Sequence, residues 1–208
     1  MILFVGCEMT NSSSEYQKID IKNIAQSEIF DDFKSKIINF NEPYITRLES
    51  ITSEELNTIY SISKKSSNID QYSVLIKEMG YASIEDYEKK MESMFKSLNN
   101  LINKFPELKE ATVEERETAF KILFTEQASN AHKSLALSSN CTYDFSYCMS
   151  MAKGYYYAAS GGCATGLLGG PIGAVAAVGC QLANTAYYEG KKMECAHEYN
   201  QCNNQNES

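Results

Sequence analysis

The chain has 208 residues, 43% of them hydrophobic, and a formal net charge of −8. With a pI near 4.9 and no basic stripe to neutralise phosphates, that balance excludes nucleic-acid binding. The apolar fraction is that of a globular chain, and the length allows one core or two small ones.

Residues Met1-Ile2-Leu3-Phe4-Val5-Gly6-Cys7 form a short apolar run ending at Gly-Cys. The run resembles the lipobox of bacterial lipoproteins, with Phe4, Val5 and Gly6 preceding a cysteine that is lipidated after cleavage. The resemblance covers residues 1–7 and implies a lipid on Cys7 that seats the protein on a membrane. It departs from the family pattern in lacking a basic segment and in the shortness of its apolar stretch. We therefore expect translation to start upstream, with Met1 inside the signal. Frequent Asn, Ile, Lys, Ser and Tyr fit an AT-rich bacterial genome. Residues 8–19, with Asn11-Ser12-Ser13-Ser14, read as a flexible polar tether.

Residues 20–134 read as a helical domain. Ile24, Ile29, Phe30, Phe33, Ile37 and Phe40 recur at helical spacing, and Asn41-Glu42-Pro43 is expected to stop that helix. Thr52 with Glu55 makes a capping-box pattern for a second helix through Lys65. After the Lys64-Lys65-Ser66-Ser67-Asn68 loop, a short helix runs from Gln71 to Met79 and ends at Gly80. Ser83 with Asp86 opens a fourth helix, whose stripe from Ile84 and Tyr87 through Leu98, Leu101 and Phe105 ends at Pro106. Thr112 and Glu115 cap a fifth, with Val113, Ala119, Phe120, Leu123 and Phe124 facing inward. No segment alternates with period two, so the fold class is all-α: a helical bundle followed by a helical hairpin.

The hairpin occupies residues 138–203 and carries six of the seven cysteines, at intervals of 7, 15, 17, 15 and 7 residues. The spacing is a mirror about the Pro171-Ile172 bond, inside Gly169-Gly170-Pro171-Ile172-Gly173, and a mirror requires the chain to fold back antiparallel. On each helical arm such steps keep the three cysteines within about 60° of one another. Six cysteines allow about 15 connectivities in general. The mirror selects the nested one: Cys141 with Cys202, Cys148 with Cys195, Cys163 with Cys180. Bonded cysteines place the protein outside the cytosol. No Cys-x-x-Cys occurs and there are two histidines, which disfavours zinc.

Disulfides between helices need a close approach, so small residues are expected along the seam: Gly154, Ala158, Gly162 and Gly166 on one arm, and Gly173, Ala176, Ala177, Gly179, Ala183 and Ala186 on the other. Tyr155-Tyr156 mirror Tyr187-Tyr188 and suggest two aromatic bands meeting across the arms. Residues 154–188 carry no charge, yet they are rich in Gly, Ala, Ser and Tyr and are cut by the Gly-Pro turn, so each half is too short to span a bilayer.

Catalytic signatures are absent from the sequence. There is no Gly-x-Ser-x-Gly elbow or His-Glu-x-x-His, and Gly166-Leu167-Leu168-Gly169-Gly170 lacks the Lys-Ser/Thr of a phosphate loop. Glu194 and His197 are three apart on one helix face, half a metal site at most; His132 stands alone, and adjacent pairs such as Asp31-Asp32, Glu54-Glu55 and Glu114-Glu115 read as helix starts and solvated faces. The expectation is a non-enzyme with no cofactor and no metal site. It would be an envelope protein anchored through Cys7, binding an unknown protein or glycan or acting structurally. The alternative is a membrane-active, toxin-like protein: residues 158–183, with Gly-x-x-x-Gly spacing at Gly162/Gly166 and Gly166/Gly170, resemble class II bacteriocin helices in composition.

Overall fold

In the computed structural model the described residues are 19–65, 69–135, 141–166 and 174–206, and all regular structure among them is helical. The apolar run from Ile24 to Phe40 is two helices rather than one. Ser27 accepts from the Phe30 N–H at 3.1 Å and donates to the Ile24 carbonyl at 2.8 Å, ending α1 (Ile21–Ala25) and capping α2 (Glu28–Ser50).

The expected stop at Pro43 does not occur: α2 continues through it to Ser50. The ring withholds the N–H that the Asn39 carbonyl would accept, which costs about 3 kcal/mol. Beyond it Tyr44, Ile45 and Leu48 are fully buried, and each aliphatic side chain alone contributes about 1.5–3 kcal/mol. Burial outweighs the broken bond.

Helix α3 (Ser53–Lys65) and helix α7 (Val113–Leu135) both open with a closed capping box. The Thr52 and Thr112 N–H groups each donate to the following glutamate at 2.8 Å, and the Glu55 and Glu115 N–H groups donate back to threonine hydroxyls at 3.2 Å. Between them lie α4 (Ile69–Glu78), α5 (Ile84–Lys104), capped by Ser83, and a short α6 (Glu107–Glu110) that the apolar pattern does not announce. Gly80 ends α4 at φ 92°. Its N–H reaches the Lys77 carbonyl at 2.9 Å and the Tyr81 N–H the Ile76 carbonyl at 3.2 Å, a Schellman closure. A Cβ at Gly80 would sit 2.6 Å from the Pro43 oxygen, so glycine is required there by space as well as by φ.

The chain then forms α8 (Cys141–Gly166) and α9 (Ala174–Asn206). One continuous core joins them to the body. Phe33 packs on Phe120 at 5.7 Å, Phe30 on Phe124 at 5.7 Å, and Phe124 on Tyr157 at 6.3 Å, linking α2 to α7 and α7 to α8.

Several of the small residues do not face the seam between the arms. A Cβ at Gly154 would lie 3.1 Å from the Phe124 carbonyl, one at Gly162 2.9 Å from Glu117, and one at Gly161 3.3 Å from Ile37. These glycines let α8 press against α7 and α2. On α9, Gly179 has open space where its Cβ would be, and Ala183 and Ala186 are exposed. Ala158 and Ala177 are buried as expected. Gly166, Gly173 and Ala176, and the turn at Gly169–Gly173 with Pro171, lie outside the residues whose surroundings are described.

Candidate functional site

Three disulfides cross between α8 and α9: Cys141 to Cys202, Cys148 to Cys195 and Cys163 to Cys180. Their Cα separations of 5.7, 5.7 and 5.9 Å are ordinary for disulfides and too short for helices packed through large side chains alone. The rungs therefore set the spacing of the arms. Between the second and third rungs the tyrosine bands meet, but not as mirror partners. Tyr156 meets Tyr188 at 5.8 Å, both buried, and Tyr155 meets Tyr187 at 6.1 Å towards solvent. Successive residues on a helix point about 100° apart, so each ring finds the one sharing its face.

Where α9 crosses α2, a knot of polar side chains lies inside the core. Gln181 donates to Asn41 Oδ1 at 3.0 Å and to the Tyr81 hydroxyl, which donates to the Phe40 carbonyl at 2.7 Å. Asn41 donates to the Ile37 carbonyl at 2.8 Å, and the Tyr44 and Thr185 hydroxyls pair at 2.9 Å. The Gln181 carbonyl accepts from Tyr156 at 3.2 Å and Thr185 at 3.0 Å. Burial pushes the Tyr44, Tyr81 and Tyr156 hydroxyls far above the usual phenol range, so they stay protonated and serve as neutral bridges. The knot fixes the register of the hairpin on the body. Its signal in the sequence is slight: Asn41 interrupts an apolar stripe, and Gln181 and Thr185 sit one turn apart in a Gly/Ala arm.

Among the described residues, two clefts are the most spacious of those on the surface. The larger, about 820 Å³, is an open trough along the solvent side of α2 that passes Pro43 and Gly80. Lys34 and Lys90 stand there against Asp31 and Glu42, so its walls favour neither sign of charge. The second, about 460 Å³, runs between the two arms over the first two disulfide rungs. Its walls carry Asp144, Tyr147 and Met151 from α8, and Lys191, Glu194 and Glu198 from α9. Lys191 is paired with Glu194 at 2.6 Å, which holds its ammonium pKa above the ordinary value.

Cys7 and the lipobox-like run lie outside the described residues, as does the tether through residue 18. His132 falls on α7, in a stretch where the backbone alone is described. His197 is exposed and bonded to Gln201 at 2.9 Å, while Glu194 is taken by Lys191, so the structure does not bring these two together on a common ligand. Among the described residues no three His, Cys, Asp or Glu side chains converge as a metal site would need. No described helix is long and apolar enough to cross a membrane. No known protein family, curated protein or solved structure matches this chain. Fold and compartment therefore rest on the residues themselves: an all-helical protein whose three disulfides suit an oxidising, extracytoplasmic environment.

Proposed function

We propose that this is an exported bacterial envelope protein, held to a membrane by a lipid on Cys7, that works as a non-catalytic binding or structural module. The observation that carries the reading is the disulfide ladder, because three bonded pairs need an oxidising compartment to form and persist. Cys7 is the one cysteine the ladder leaves over, and it ends the lipobox-like Phe4-Val5-Gly6 run. The buried tyrosines are kept neutral and inside the core, which suits architecture rather than proton transfer. The faces of Gly154, Gly161 and Gly162, which a membrane-active hairpin would turn towards lipid, are spent on α7 and α2.

Metabolic labelling with palmitate in the native host, together with a Cys7→Ser variant, tests the anchor. The expected result is label on the wild type, lost in the variant, with globomycin causing the precursor to accumulate. Label that persists in the variant removes the anchor from this reading.

A further inference from the structure

We infer that a small cavity between the hairpin and the body binds one internal water molecule, which donates to Gln181 Oε1 and to the Ser160 hydroxyl oxygen. This water is independent of the lipid on Cys7 and of any binding partner. The cavity lies beside the knot, where Ser160 of α8 and Gln181 of α9 meet the rings of Phe40 and Phe95. Gln181 is 1% exposed and Ser160 5%. Both hydrogens of the Gln181 amide are spent, one on Asn41 Oδ1 and one on the Tyr81 hydroxyl, whereas Oε1 is buried without a donor.

Turning the amide over does not cure this. Asn41 donates to the Ile37 carbonyl and Tyr81 to the Phe40 carbonyl, so each offers Gln181 an acceptor. Oε1 in either place would meet another oxygen lone pair. Neither Asn41 nor Tyr81 borders the cavity, while Gln181 does, so the edge of the amide left for the cavity is its oxygen.

Size decides the ligand. The space is about 10 Å³, and a single water needs roughly 10–15 Å³. Any organic group or hydrated ion is larger, and a bare cation would find two neutral oxygens in a wall of aromatic and aliphatic groups, too few to replace its hydration shell. Wholly apolar cavities stay dry, but a buried acceptor without a donor destabilises the fold, and water relieves it. The two hydrogens of the water go to Gln181 Oε1 and Ser160 Oγ, and Ser160 keeps its own hydrogen for Asn41 Oδ1 at 3.5 Å. The water thereby bridges α8 to α9 at the point where the knot sets the register of the hairpin.

The test is a high-resolution crystal structure of the full oxidised chain, paired with oxygen-17 magnetic relaxation dispersion, which counts waters held longer than the protein takes to tumble. The expected result is a density peak within hydrogen-bond distance of Gln181 Oε1 and Ser160 Oγ, with no anomalous signal after a soak in rubidium chloride. Ala177→Val adds methyl groups to the cavity wall and should lower the count of long-lived waters by about one. Gly179→Ala on the same helix, whose methyl has open space, should leave the count unchanged. A cavity without density, rubidium at the site, or equal counts in wild type and Ala177→Val would overturn the inference. So would a Gln181 amide whose oxygen is found on a protein donor. The wild-type crystal structure decides the matter even if Ala177→Val does not fold.

Discussion

The body and the outer part of the hairpin are held together by different physics. Around α2 the chain is packed by large rings and aliphatic side chains: Phe33, Ile37, Tyr44 and Leu48 are all fully buried. Towards the Cys141–Cys202 end, α8 and α9 expose Tyr187 and Met193, and in their facing sides the buried residues include Cys141, Ala152 and Cys195. A pair of helices with so little apolar surface between them gains little from the hydrophobic effect, so covalent bonds supply what burial does not. The comparison teaches where each kind of bond is useful. The Cys141–Cys202 and Cys148–Cys195 bonds stand where the core thins out, whereas Cys163–Cys180 lies beside buried Ala164 and Ala177, next to the knot around Gln181.

The largest break should come from the body. Phe33→Ala removes a ring shared by α2, α7 and the Gly161 face of α8, and should cost about 3–5 kcal/mol in urea unfolding. Because the core is continuous, hydrogen-exchange protection should fall in the body and the hairpin together. Next, Cys141→Ser/Cys202→Ser should cost about 2–3 kcal/mol in the chain-entropy picture. Its loss of protection should be confined to the outer ends of α8 and α9, with the α2–α5 amides unchanged; a uniform loss would erase the distinction between the regions.

A finer comparison uses glycines on either arm. Gly179 and Gly190 have open space at the Cβ position and ordinary helical φ, so Gly→Ala at either should raise stability by about 0.5–1 kcal/mol. Gly154→Ala should lower it, since the new methyl meets the Phe124 backbone rather than a mobile side chain. Thermal melts of the three variants give the signs directly. The smallest effect concerns pH. A hydrogen bond from Arg47, then those from Thr52, hold the Glu55 carboxyl down at about 2. A depressed carboxylate stabilises above its unfolded pKa and loses that contribution as pH falls, here between about 4.5 and 2. The α3 cap should weaken over that window, and Glu55→Gln should flatten that part of the melting-temperature profile.

Much of this architecture is legible in the residues, for reasons that can be named. Capping boxes at Thr52 and Thr112, the Ser83 cap and the Gly80 stop are local devices, closed within four residues of chain. The mirrored cysteines are long-range but covalent, so their geometry depends on spacing along two helices and on little else. What failed were inferences about which neighbour a given face would meet. Pro43 reads as a stop until Tyr44, Ile45 and Leu48 are seen to be buried beyond it. Gly154 and Gly162 read as the lining of the hairpin seam until α7 occupies their faces; the tyrosine bands do meet as the mirror suggests, with helical phase choosing which rings pair. The Asn41–Gln181 knot and the cleft at Asp144 and Glu198 join residues that are polar, unremarkable and far apart in the chain. By itself, then, the sequence determined the all-helical class, the caps at Thr52, Ser83 and Thr112, and the covalent ladder, because each obeys rules confined to a few residues or to one bond. Only the tertiary structure decided which faces meet, because burial and backbone approach depend on what the rest of the chain brings alongside.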